Sequence, residues 1–261
     1  MTLAVIVQAR MGSSRCPGKV MKDLGGEPFL KRCLERCDRI PGADLVVVAV
    51  PDLPQDDQVA EAAESWGYTV VRGSEKDVLS RYAKAAREVV ADAVMRVTSD
   101  CPMIDPDICG ETIRFWRESQ ADYGCNNMPP GFPHGLDCEV FHASLLHAAD
   151  HLAEDPYERE HVTPWIRQHP DLKHASIRGP AGGIENLRWT LDHPEDVDMF
   201  RAIYEVLGIK APFASTADYL ALCLRRPDIP AINAMHHDPA RLAATQQAEI
   251  SSEPLLIRGA A

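Results

Sequence analysis

The stretch LAVIVQARMGSSRCPGK, residues 3–19, joins a strand-like run to a loop that is dense in hydrogen-bond donors. Residues 3–7 are continuously apolar and rich in β-branched side chains, which is typical of a strand buried on both faces in a parallel sheet. The loop that follows holds two glycines, two serines, two arginines and a lysine. Because open α/β sheets bind ligands at the carboxyl ends of their strands, we expect this loop to bind nucleotide phosphates.

The loop does not fit the P-loop of Walker ATPases, which is its nearest rival. Five residues separate Gly12 from Gly18, which is too many for the P-loop pattern. Val20 also stands where that pattern needs Ser or Thr. A solvated basic turn without a ligand is the remaining alternative.

The composition is that of an acidic globular protein. The chain has 261 residues, of which 45% are hydrophobic and 25% charged, and its formal net charge is −12. These values exclude disorder along the whole chain and argue against nonspecific binding to nucleic acids. No apolar stretch reaches membrane-spanning length and no secretion signal is evident, so we expect a cytoplasmic protein without a membrane partner.

The eight cysteines do not indicate a disulfide scaffold, because the chain is long and its expected compartment is reducing. Cys33 and Cys37 lie four residues apart on a predicted helix and resemble half of a metal site. No compact Cys or His pair close in sequence completes such a site, so we expect two core-facing thiols.

Strand-like and helical patterns alternate in the first part of the chain. Apolar runs that end at polar or Pro-containing breaks lie at residues 3–7, 45–50, 69–71 and 93–97. Amphipathic helical patterns lie between them, at residues 29–40, 55–66 and 78–90. The alternation predicts right-handed βαβ units and an α/β fold, a three-layer α/β/α Rossmann-like sandwich with a mainly parallel sheet.

The rhythm changes after Asp105. Helices are predicted at residues 106–119, 143–152, 157–168, 194–207 and 216–224, and short strands at 138–141, 173–177 and 187–191. From residue 228 onward the chain lacks strong periodicity, and we expect it to wrap around the surface or a partner.

Two aspartates at predicted strand ends are candidate ligands for Mg²⁺. Asp100 follows the fourth strand, at the same sheet edge as the first loop, and Asp192 follows the last predicted strand. Mg²⁺ needs few carboxylates when water and substrate phosphates complete its shell, so two aspartates suffice for a nucleotide-bound ion. Helix capping is the alternative role for aspartates near prolines. We expect capping for Asp105 and leave it open for Asp192.

Several motifs follow one another along the chain. VIVQARMGSSRCPGKVMKDLGGEPFLKRCLERC is followed by RGSEKDVLSRY, RVTSDCPMIDP, GLDCEVF, REHVTPWI and LRWTLDHPEDVDMFRAIYE. This series resembles the cytidylyltransferase family that includes the CMP-3-deoxy-manno-octulosonate and CMP-acylneuraminate synthetases. It is most similar to the branch described as spore-coat polysaccharide biosynthesis proteins. The resemblance covers roughly residues 3–207 and does not extend to the remainder of the chain.

The resemblance implies a nucleotide-diphospho-sugar transferase fold and transfer of CMP from CTP to a sugar acid, with release of pyrophosphate, for surface polysaccharide or glycan synthesis. It implies Mg²⁺ as the cofactor and a homodimer, for which residues 124–141 could supply an interface. The nucleotidyltransferase domain would span residues 1–227, with an acceptor and dimerisation insertion at about 124–180, and residues 228–261 would form a C-terminal extension.

The resemblance also assigns site residues. The catalytic set is Arg15, Lys19, Asp100 and Asp192, of which the two aspartates match the positions that hold Mg²⁺. The nucleotide-binding set is Gln8, Ala9, Arg10, Gly12, Ser13 and Ser14 in the first loop, with Arg72, Asp77 and Arg81 around the base and ribose. The residues agree with this chemistry, because attack on an α-phosphorus needs positioning and charge neutralisation, and no protein nucleophile motif is evident.

Two segments remain for the acceptor. FPHGLDCEVF offers His134, Asp137 and Glu139, and YEREHVTPW offers Arg159 and His161. Arg159 could pair with an acceptor carboxylate or phosphate, and His161 or Asp137 could orient or deprotonate the attacking hydroxyl. For the second segment, the solvated first turn of a helix is an equal alternative.

Two residues depart from the pattern of the family. Cys16 stands where relatives often carry leucine, and we expect a packed small side chain rather than a redox-sensitive thiol. His134 stands where relatives often carry arginine, which leaves the acceptor open. The rival functions are a nucleotidyltransferase that uses GTP or UTP with a sugar phosphate, a nucleotide-sugar glycosyltransferase, and a nucleotide-binding protein without catalysis.

Overall fold

The computed structural model of this protein describes residues 1–180, 182–239, 241 and 256–259. Its strands are Leu3–Gln8 (β1), Asp23–Leu24 (β2), Glu27–Pro28 (β3), Leu45–Pro51 (β4), Thr69–Gly73 (β5), Ala93–Thr98 (β6), Tyr123–Cys125 (β7), Glu139–His142 (β8), His174–Arg178 (β9) and Leu256–Gly259 (β10). Strands β2 and β3 form a small antiparallel pair. The others form one sheet in the order β10-β9-β7-β8-β6-β1-β4-β5.

The large sheet is mainly parallel, as predicted. Strand β1 pairs in parallel with β4 and β6, and β4 pairs in parallel with β5. Strand β8 runs antiparallel to both of its neighbours, β6 and β7, whereas β9 is parallel to β7 and β10. One edge of the sheet therefore carries the carboxyl ends of the parallel strands together with the amino end of β8.

Helices cover both faces of this sheet and complete three layers. They are Phe29–Cys37 (α1), Asp57–Ser65 (α2), Val78–Glu88 (α3), Pro106–Ser119 (α4), Ala143–Leu152 (α5), Pro156–His161 (α6), Pro164–Gln168 (α7), Pro194–Leu207 (α8), Thr216–Arg225 (α9) and Asp228–Ala231 (α10). The core on one face contains Val48 and residues of α1, α2 and α4. The core on the other contains Val47 and residues of α3, α5 and α7. Neighbouring residues of β4 thus enter different cores, which explains its continuous apolar sequence.

Two predictions of secondary structure were wrong, those of one helix at residues 157–168 and of a strand at residues 187–191. Residues 157–168 form two helices, α6 and α7, because the chain turns at Val162, whose φ is 73°, and Pro164 starts the second helix. Residues 187–191 do not join the sheet. Their amides and carbonyls bond the loop before β8, with Trp189 N donating to His134 O at 2.6 Å, and Trp189 is buried in a third core beneath α8 and α9.

Strand β7 was not predicted. It has only three residues, and its central Gly124 gives no hydrophobic pattern. The glycine is required there, because a Cβ would lie 2.9 Å from Trp116 Cβ on α4.

The cysteines behave as expected. All eight lie within the described residues, and each is a buried free thiol. Cys33 and Cys37 are fully buried in the core beneath α1, which confirms the prediction of core-facing thiols. Among the described residues, no helix combines the length and the apolar character needed to cross a bilayer.

The predicted extension at residues 228–261 is described in part, at residues 228–239, 241 and 256–259; its other residues lie outside the described ones. It contributes α10 and β10, and β10 adds a strand to the sheet beside β9. Arg258 of β10 bonds Glu118 of α4 at 2.7 Å. The domain boundary at residue 227 stays a prediction.

Candidate active site

The loop after β1 is held by its own backbone and by one aspartate. The amides of Ser13 and Gly18 both donate to the carbonyl of Met11, at 3.0 and 3.1 Å, and Gly18 has the positive φ of 65° that favours glycine. The amide of Met11 in turn donates to Asp56 Oδ1 at 2.6 Å. The loop therefore has a fixed base at the carboxyl edge of the sheet.

The two sides of this loop differ. Cys16 is buried in the third core, which confirms the expectation of a packed small side chain. Arg10, Ser14 and Arg15 are exposed on the outer side. The loop thus offers cationic and hydroxyl side chains to solvent, as a site for phosphate oxygens requires.

Lys19 brings together the two aspartates that were predicted to hold Mg²⁺. Its Nζ lies 2.9 Å from Asp192 Oδ1 and 3.6 Å from Asp100 Oδ2, and it donates to the Leu191 carbonyl at 2.6 Å. The lysine is largely buried, at 12% side-chain exposure, whereas Arg15 reaches Asp192 Oδ1 from the solvent side at 3.1 Å. All four residues of the predicted catalytic set therefore meet at one point.

The backbone explains how residues so distant in sequence meet. Asp100 follows β6, and Thr98 at the end of that strand donates to its carboxylate. The segment before Asp192 crosses directly against this turn, because Leu191 N donates to the carbonyl of Asp100 at 2.8 Å. Helix α8 begins at Pro194 with His193 as its N-cap, so Asp192 is not the cap. Asp105 does cap α4, as predicted.

Charge fixes the protonation of this group. Burial raises the pKa of Asp192, but Lys19, Arg15 and Arg188 outweigh burial and lower it to about 2. Burial likewise lowers the pKa of Lys19, but Asp100 and Asp192 outweigh burial and raise it. At neutral pH the cluster therefore holds an ionised carboxylate at Asp192 against a charged ammonium.

A second layer of charge holds Asp192 in place, and sequence reasoning missed most of it. Arg188 donates to Asp192 Oδ2 at 3.3 Å and makes two bonds of 2.9 Å to Asp196. Asp196 is fully buried and also accepts from the amides of Asp192 and His193, each at 2.8 Å. Arg188 lies within an apolar-looking run, so its pattern gives no signal, and only the spacing to the acidic cluster hints at its role.

The Asp100–Asp192 group suits Mg²⁺ in its chemistry. Both side chains present carboxylate oxygens to one point, and both are partly open, at 29% and 16% exposure. Two carboxylates with room for water and phosphate oxygens are the ligand set that Mg²⁺ prefers. Asp100 and Asp192 would hold such an ion beside Lys19 and the loop after β1.

Several buried polar atoms near the first loop lack partners within the described part of the chain. They include Gln8 Oε1, Asp56 Oδ2 and Arg81 Nε. Burial lowers the pKa of Arg81, and the nearby charge of Arg10 adds to this effect. Because buried polar groups are normally paired, such atoms beside the donor-rich first loop favour a ligand that bonds them. Ala9 is buried at the base of the same loop, where its amide donates to Ala49 O at 3.1 Å.

Gly12, in the loop after β1, lies close to Gln55, because a Cβ at this position would be 3.3 Å from Gln55 Nε2. Arg72 braces the turn after β4, through Asp57 and the carbonyls of Pro51 and Leu53. The predicted nucleotide contact of Arg72 stays a prediction.

Asp77 and Arg159, predicted for different substrates, bind each other. Asp77 caps α3 and accepts two bonds from Arg159, at 3.0 and 2.6 Å. Arg159 also bonds the carboxylate and carbonyl of Asp150 and the carbonyl of Ala153. These five bonds match the five donors of a guanidinium. The pair thus ties α3, α5 and α6 together, and an acceptor contact by Arg159, which stays a prediction, would cost some of these bonds.

Glu139 lies inside the sheet. It accepts hydrogen bonds from Arg96 at 2.7 Å, from Thr163 at 2.9 Å and from the hydroxyl of Tyr123, and its side chain is 3% exposed. Burial raises its pKa, but Arg96 and Arg167 outweigh burial and lower it. This carboxylate is therefore a sealed, ionised partner of Arg96.

The other acceptor candidates lie closer to the surface. His134 sits beside Arg188 at the β7–β8 loop, and burial lowers its pKa. Asp137 accepts from the amide of Gly135 at 3.2 Å. His161 is exposed at the end of α6, where its ring packs on Tyr157 with centroids 4.4 Å apart.

A sequence model of the cytidylyltransferase family matches residues 4–207, which include the loop after β1, Asp100 and Asp192. This chain belongs to the cytidylyltransferase family. The match confirms the resemblance seen in the motifs and identifies the protein as an enzyme of the nucleotidyltransferase type.

Individual relatives agree. The chain is 33% identical over 231 residues to the spore coat polysaccharide biosynthesis protein SpsF of Bacillus subtilis, covering 85% of this chain and 94% of that one. It is 37% identical over 108 residues to the 3-deoxy-manno-octulosonate cytidylyltransferase of Anaeromyxobacter dehalogenans, covering 40% and 43% of the two chains. A solved cytidylyltransferase of Leptospira borgpetersenii superposes with a TM-score of 0.82 at 31% identity, over 88% and 96% of the two chains.

Proposed function

We propose that this cytidylyltransferase transfers CMP from CTP to a sugar acid in a Mg²⁺-dependent reaction that releases pyrophosphate. The observation that carries the proposal is the meeting of Lys19, Asp100 and Asp192 beside the donor-rich loop. The kinship with a 3-deoxy-manno-octulosonate cytidylyltransferase supports a sugar acid as the acceptor. The kinship with a spore coat polysaccharide protein supports a product destined for surface polysaccharide.

The residues of the chain have separable tasks in this reaction. An acceptor hydroxyl oxygen attacks the α-phosphorus, and the bond from that phosphorus to the bridging oxygen of pyrophosphate breaks. Arg15 and Lys19 offset the charge of the triphosphate, and the loop around Ser13 and Ser14 fixes its position. Asp137, in the β7–β8 loop, is the candidate to take the proton of the attacking hydroxyl, while pyrophosphate leaves with the bridging oxygen. When bound, Mg²⁺ would neutralise charge on the phosphates.

In this reaction scheme, the pairing of Lys19 with both aspartates neutralises the site while nucleotide and metal are absent. With a nucleotide and metal present, the ammonium can bond phosphate oxygens while the carboxylates bind the cation. Each charged group then exchanges one partner of opposite sign for another, so the site is charge-balanced in both states.

The test is pyrophosphate release with Mg²⁺, measured with CTP, GTP, UTP and ATP against a panel of sugar acids and sugar phosphates. Release that requires CTP, a sugar acid and Mg²⁺ supports the proposal. Release only with GTP or UTP and a sugar phosphate contradicts it, as does release of a free nucleotide from a nucleotide sugar. Nucleotide binding without turnover of any pair would assign a binding role without catalysis.

We also propose a homodimer in the cytoplasm, with size-exclusion chromatography coupled to light scattering as the test of assembly. The predicted interface at residues 124–141 is largely interior, because both of its ends are strands of the sheet. Within this range, only residues 127–131, 134 and 137, all in the β7–β8 loop, are partly exposed and open to a partner. A monomer at micromolar concentration would contradict this part of the proposal.

A further inference from the structure

Two arginines lie against the buried carboxylate of Glu139. Arg96 Nη1 donates to Glu139 Oε2 at 2.7 Å, and Arg167 Nη1 lies 4.0 Å from Glu139 Oε1. The side chain of Glu139 is 3% exposed, whereas those of Arg96 and Arg167 are 19% and 26% exposed. The carboxylate is thus the enclosed side of this group, and the two arginines form its open side.

The turn between α6 and α7 places Arg167 in this group. In REHVTPWIR, residues 159–167, Thr163 Oγ1 donates to Glu139 Oε1 at 2.9 Å. The amide of Arg167 donates to the carbonyl of Thr163 at 2.9 Å, so the arginine lies one helical turn beyond the threonine. Thr163 and Arg167 therefore both approach Oε1 of Glu139, while Arg96 binds Oε2.

Most hydrogen-bond donors of the two arginines have no acceptor in the described part of the chain. Of the five donors of a guanidinium, Arg96 uses only those of Nη1 there, and its Nε is buried without a partner. The guanidinium of Arg167 makes one weak bond there, to the thioether of Met128 at 3.8 Å. Arg159, by contrast, makes five bonds to protein acceptors. Arg96 and Arg167 thus keep donors for a ligand.

The charges of this group do not balance. Among the residues that the structure describes, Glu139 is the one acid that forms an ion pair with Arg96 or Arg167, so two positive charges face one negative charge. His161 is neutral at neutral pH, because desolvation lowers its pKa and both arginines add to this effect, although Glu160 opposes it. Glu160 is itself exposed, and solvent screens its charge. One partly buried positive charge is left over, which favours a bound monoanion.

The cations of the cluster around Lys19 already have partners. Lys19 pairs with Asp100 and Asp192, and Arg15 pairs with Asp192, so two cations balance two carboxylates there. In the proposed reaction both of these cations serve the triphosphate. An acidic acceptor therefore needs a further cation near the site.

Strand β6 links the two arginines to that cluster. Arg96 and Thr98 are two residues apart in the strand, so their side chains leave the same face of the sheet about 7 Å apart. Thr98 donates to the carboxylate of Asp100. An acceptor held at Arg96 and Arg167 would therefore lie within the length of one sugar of the proposed Mg²⁺ site.

We infer that Arg167, beside Arg96, binds the carboxylate of the acceptor. A guanidinium fork matches the two oxygens of a carboxylate, and one further negative charge completes the balance around Glu139. Glu139 is then a positioning residue that holds both arginines from the buried side. The inference rests on the proposed function for the identity of the acceptor.

The experiment compares the wild type with Arg167→Gln and Arg167→Ala in the full chain. Arg96 keeps its bond to Glu139 in both variants, so we expect both to fold, and circular dichroism checks this point. Arg32→Gln is the matched control, because Arg32 is 10% exposed and pairs with Glu35 on α1 at 3.2 Å.

The substrates are CTP with 3-deoxy-manno-octulosonate or N-acetylneuraminate, whichever turns over, and the neutral C1 amide of the same sugar. Steady-state kinetics give KM for acceptor and nucleotide separately. We expect both Arg167 variants to raise the KM for the acid about 10-fold to 100-fold, because a charged hydrogen bond is lost. The KM for CTP and the kinetics with the amide should stay within about twofold of the wild type, as should every KM of Arg32→Gln.

Two results would overturn the inference. Equal losses for acid and amide would assign Arg167 a structural role. An unchanged KM for the acid would show that the carboxylate binds elsewhere.

The two proposals fail in different ways. If the wild type binds CTP but turns over no sugar acid, the proposed function fails. Calorimetric titration of both acids into wild-type and Arg167→Gln protein, with a nonhydrolysable CTP analogue present, then decides the inference, as it does for a folded variant without measurable turnover. A loss of affinity of about 10-fold or more in the variant upholds it, whereas equal affinities, or no binding of either acid by the wild type, refute it.

Discussion

Asp192 and Glu139 are both acidic residues that the sequence analysis placed in the site, but they differ in their exposure to solvent. Both are paired with cations, and both have a lowered pKa. Asp192 is 16% exposed at the edge of the sheet and faces Lys19 and the exposed Arg15. Glu139 is 3% exposed within the sheet, and its partners are largely enclosed around it.

The difference teaches what makes a charged residue available to a substrate. In the proposed reaction, a triphosphate would draw Arg15 and Lys19 away from Asp192 and Mg²⁺ would replace them, which is possible because the cluster is open to solvent at Arg15. Nothing so large reaches Glu139 without separating β8 from its neighbours. We therefore expect Asp192 and its group to govern turnover, and Glu139 to govern stability.

The largest effect should come from the open cluster. Asp100→Asn keeps the size of the side chain but removes one charge from the proposed Mg²⁺ site, and we expect pyrophosphate release to fall about 1,000-fold. The melting temperature should stay within a few degrees of the wild type, and Asp171→Asn on an exposed turn is the control. Initial rates and circular dichroism check both points. Unchanged turnover in Asp100→Asn would remove Asp100 from the mechanism.

For the buried carboxylate of Glu139, we expect the larger effect on stability rather than on turnover. Glu139→Gln leaves the charge of Arg96 buried without its partner, so the free energy of unfolding should fall by about 3 kcal/mol. Urea denaturation measures this loss, with Glu118→Gln on the surface of α4 as a control expected to stay within about 0.5 kcal/mol. A stable Glu139→Gln protein with a raised KM for the acceptor would contradict the comparison and place Glu139 in the acceptor site.

The pH dependence of the free energy of unfolding should reveal the contribution of the ion pairs of Asp192. Its pKa of about 2 lies below the ordinary value of 3.8, so its ion pairs stabilise the fold above pH 4 and are lost as the pH falls toward 2. The contribution at neutral pH is about 2 kcal/mol. Urea denaturation of wild type and Asp192→Asn with EDTA should therefore differ most above about pH 5. A difference that keeps its full neutral-pH size at pH 2.5 would assign the stabilisation to other contacts, because most of the Asp192 contribution is lost by then.

The smallest effect concerns the exposed edge of the cluster. Arg15→Ala removes a cation that is 57% exposed, so the free energy of unfolding should change by less than about 0.5 kcal/mol. The KM for CTP should rise about 10-fold, because a phosphate contact is lost. Arg114→Ala on α4, 55% exposed, is a control of matched accessibility. A stability loss as large as that of Glu139→Gln would show that Arg15 is not an open group.

The sheet and the open cluster could be predicted because local patterns carry them. The apolar strands are continuous, and the rule that parallel strands present their carboxyl ends at one edge places Asp100 beside the first loop. Asp192 needed the motif series as well, because its segment is not a strand. Its position depends on backbone bonds from Leu191 to Asp100, which no local pattern encodes.

The rest depends on contacts between distant residues. Glu139 reads as one acidic residue in a short strand, and its burial becomes visible only when Arg96, Tyr123 and Thr163 surround it. Asn233 likewise follows a stretch without periodicity, yet it is buried on Asp196. Such residues are specified by tertiary packing, so their own neighbours in sequence carry no signal for them.

Because strand β8 runs in the reverse direction, the loop that carries the proposed acceptor residues begins and ends at one edge of the sheet. The chain leaves the sheet at Cys125 and re-enters it at Glu139 on the same edge, so the loop with His134 and Asp137 is clamped at both ends. Two glycines of this loop have no room for a side chain. At Gly135, whose φ is 112°, a Cβ would lie 2.2 Å from Trp189 O, and at Gly131 a Cβ would lie 2.7 Å from Gly179 N. We expect a loop exchanged between relatives that keeps both glycines to bring new groups to the proposed acceptor site while the strand register, and the cluster around Lys19, stay unchanged.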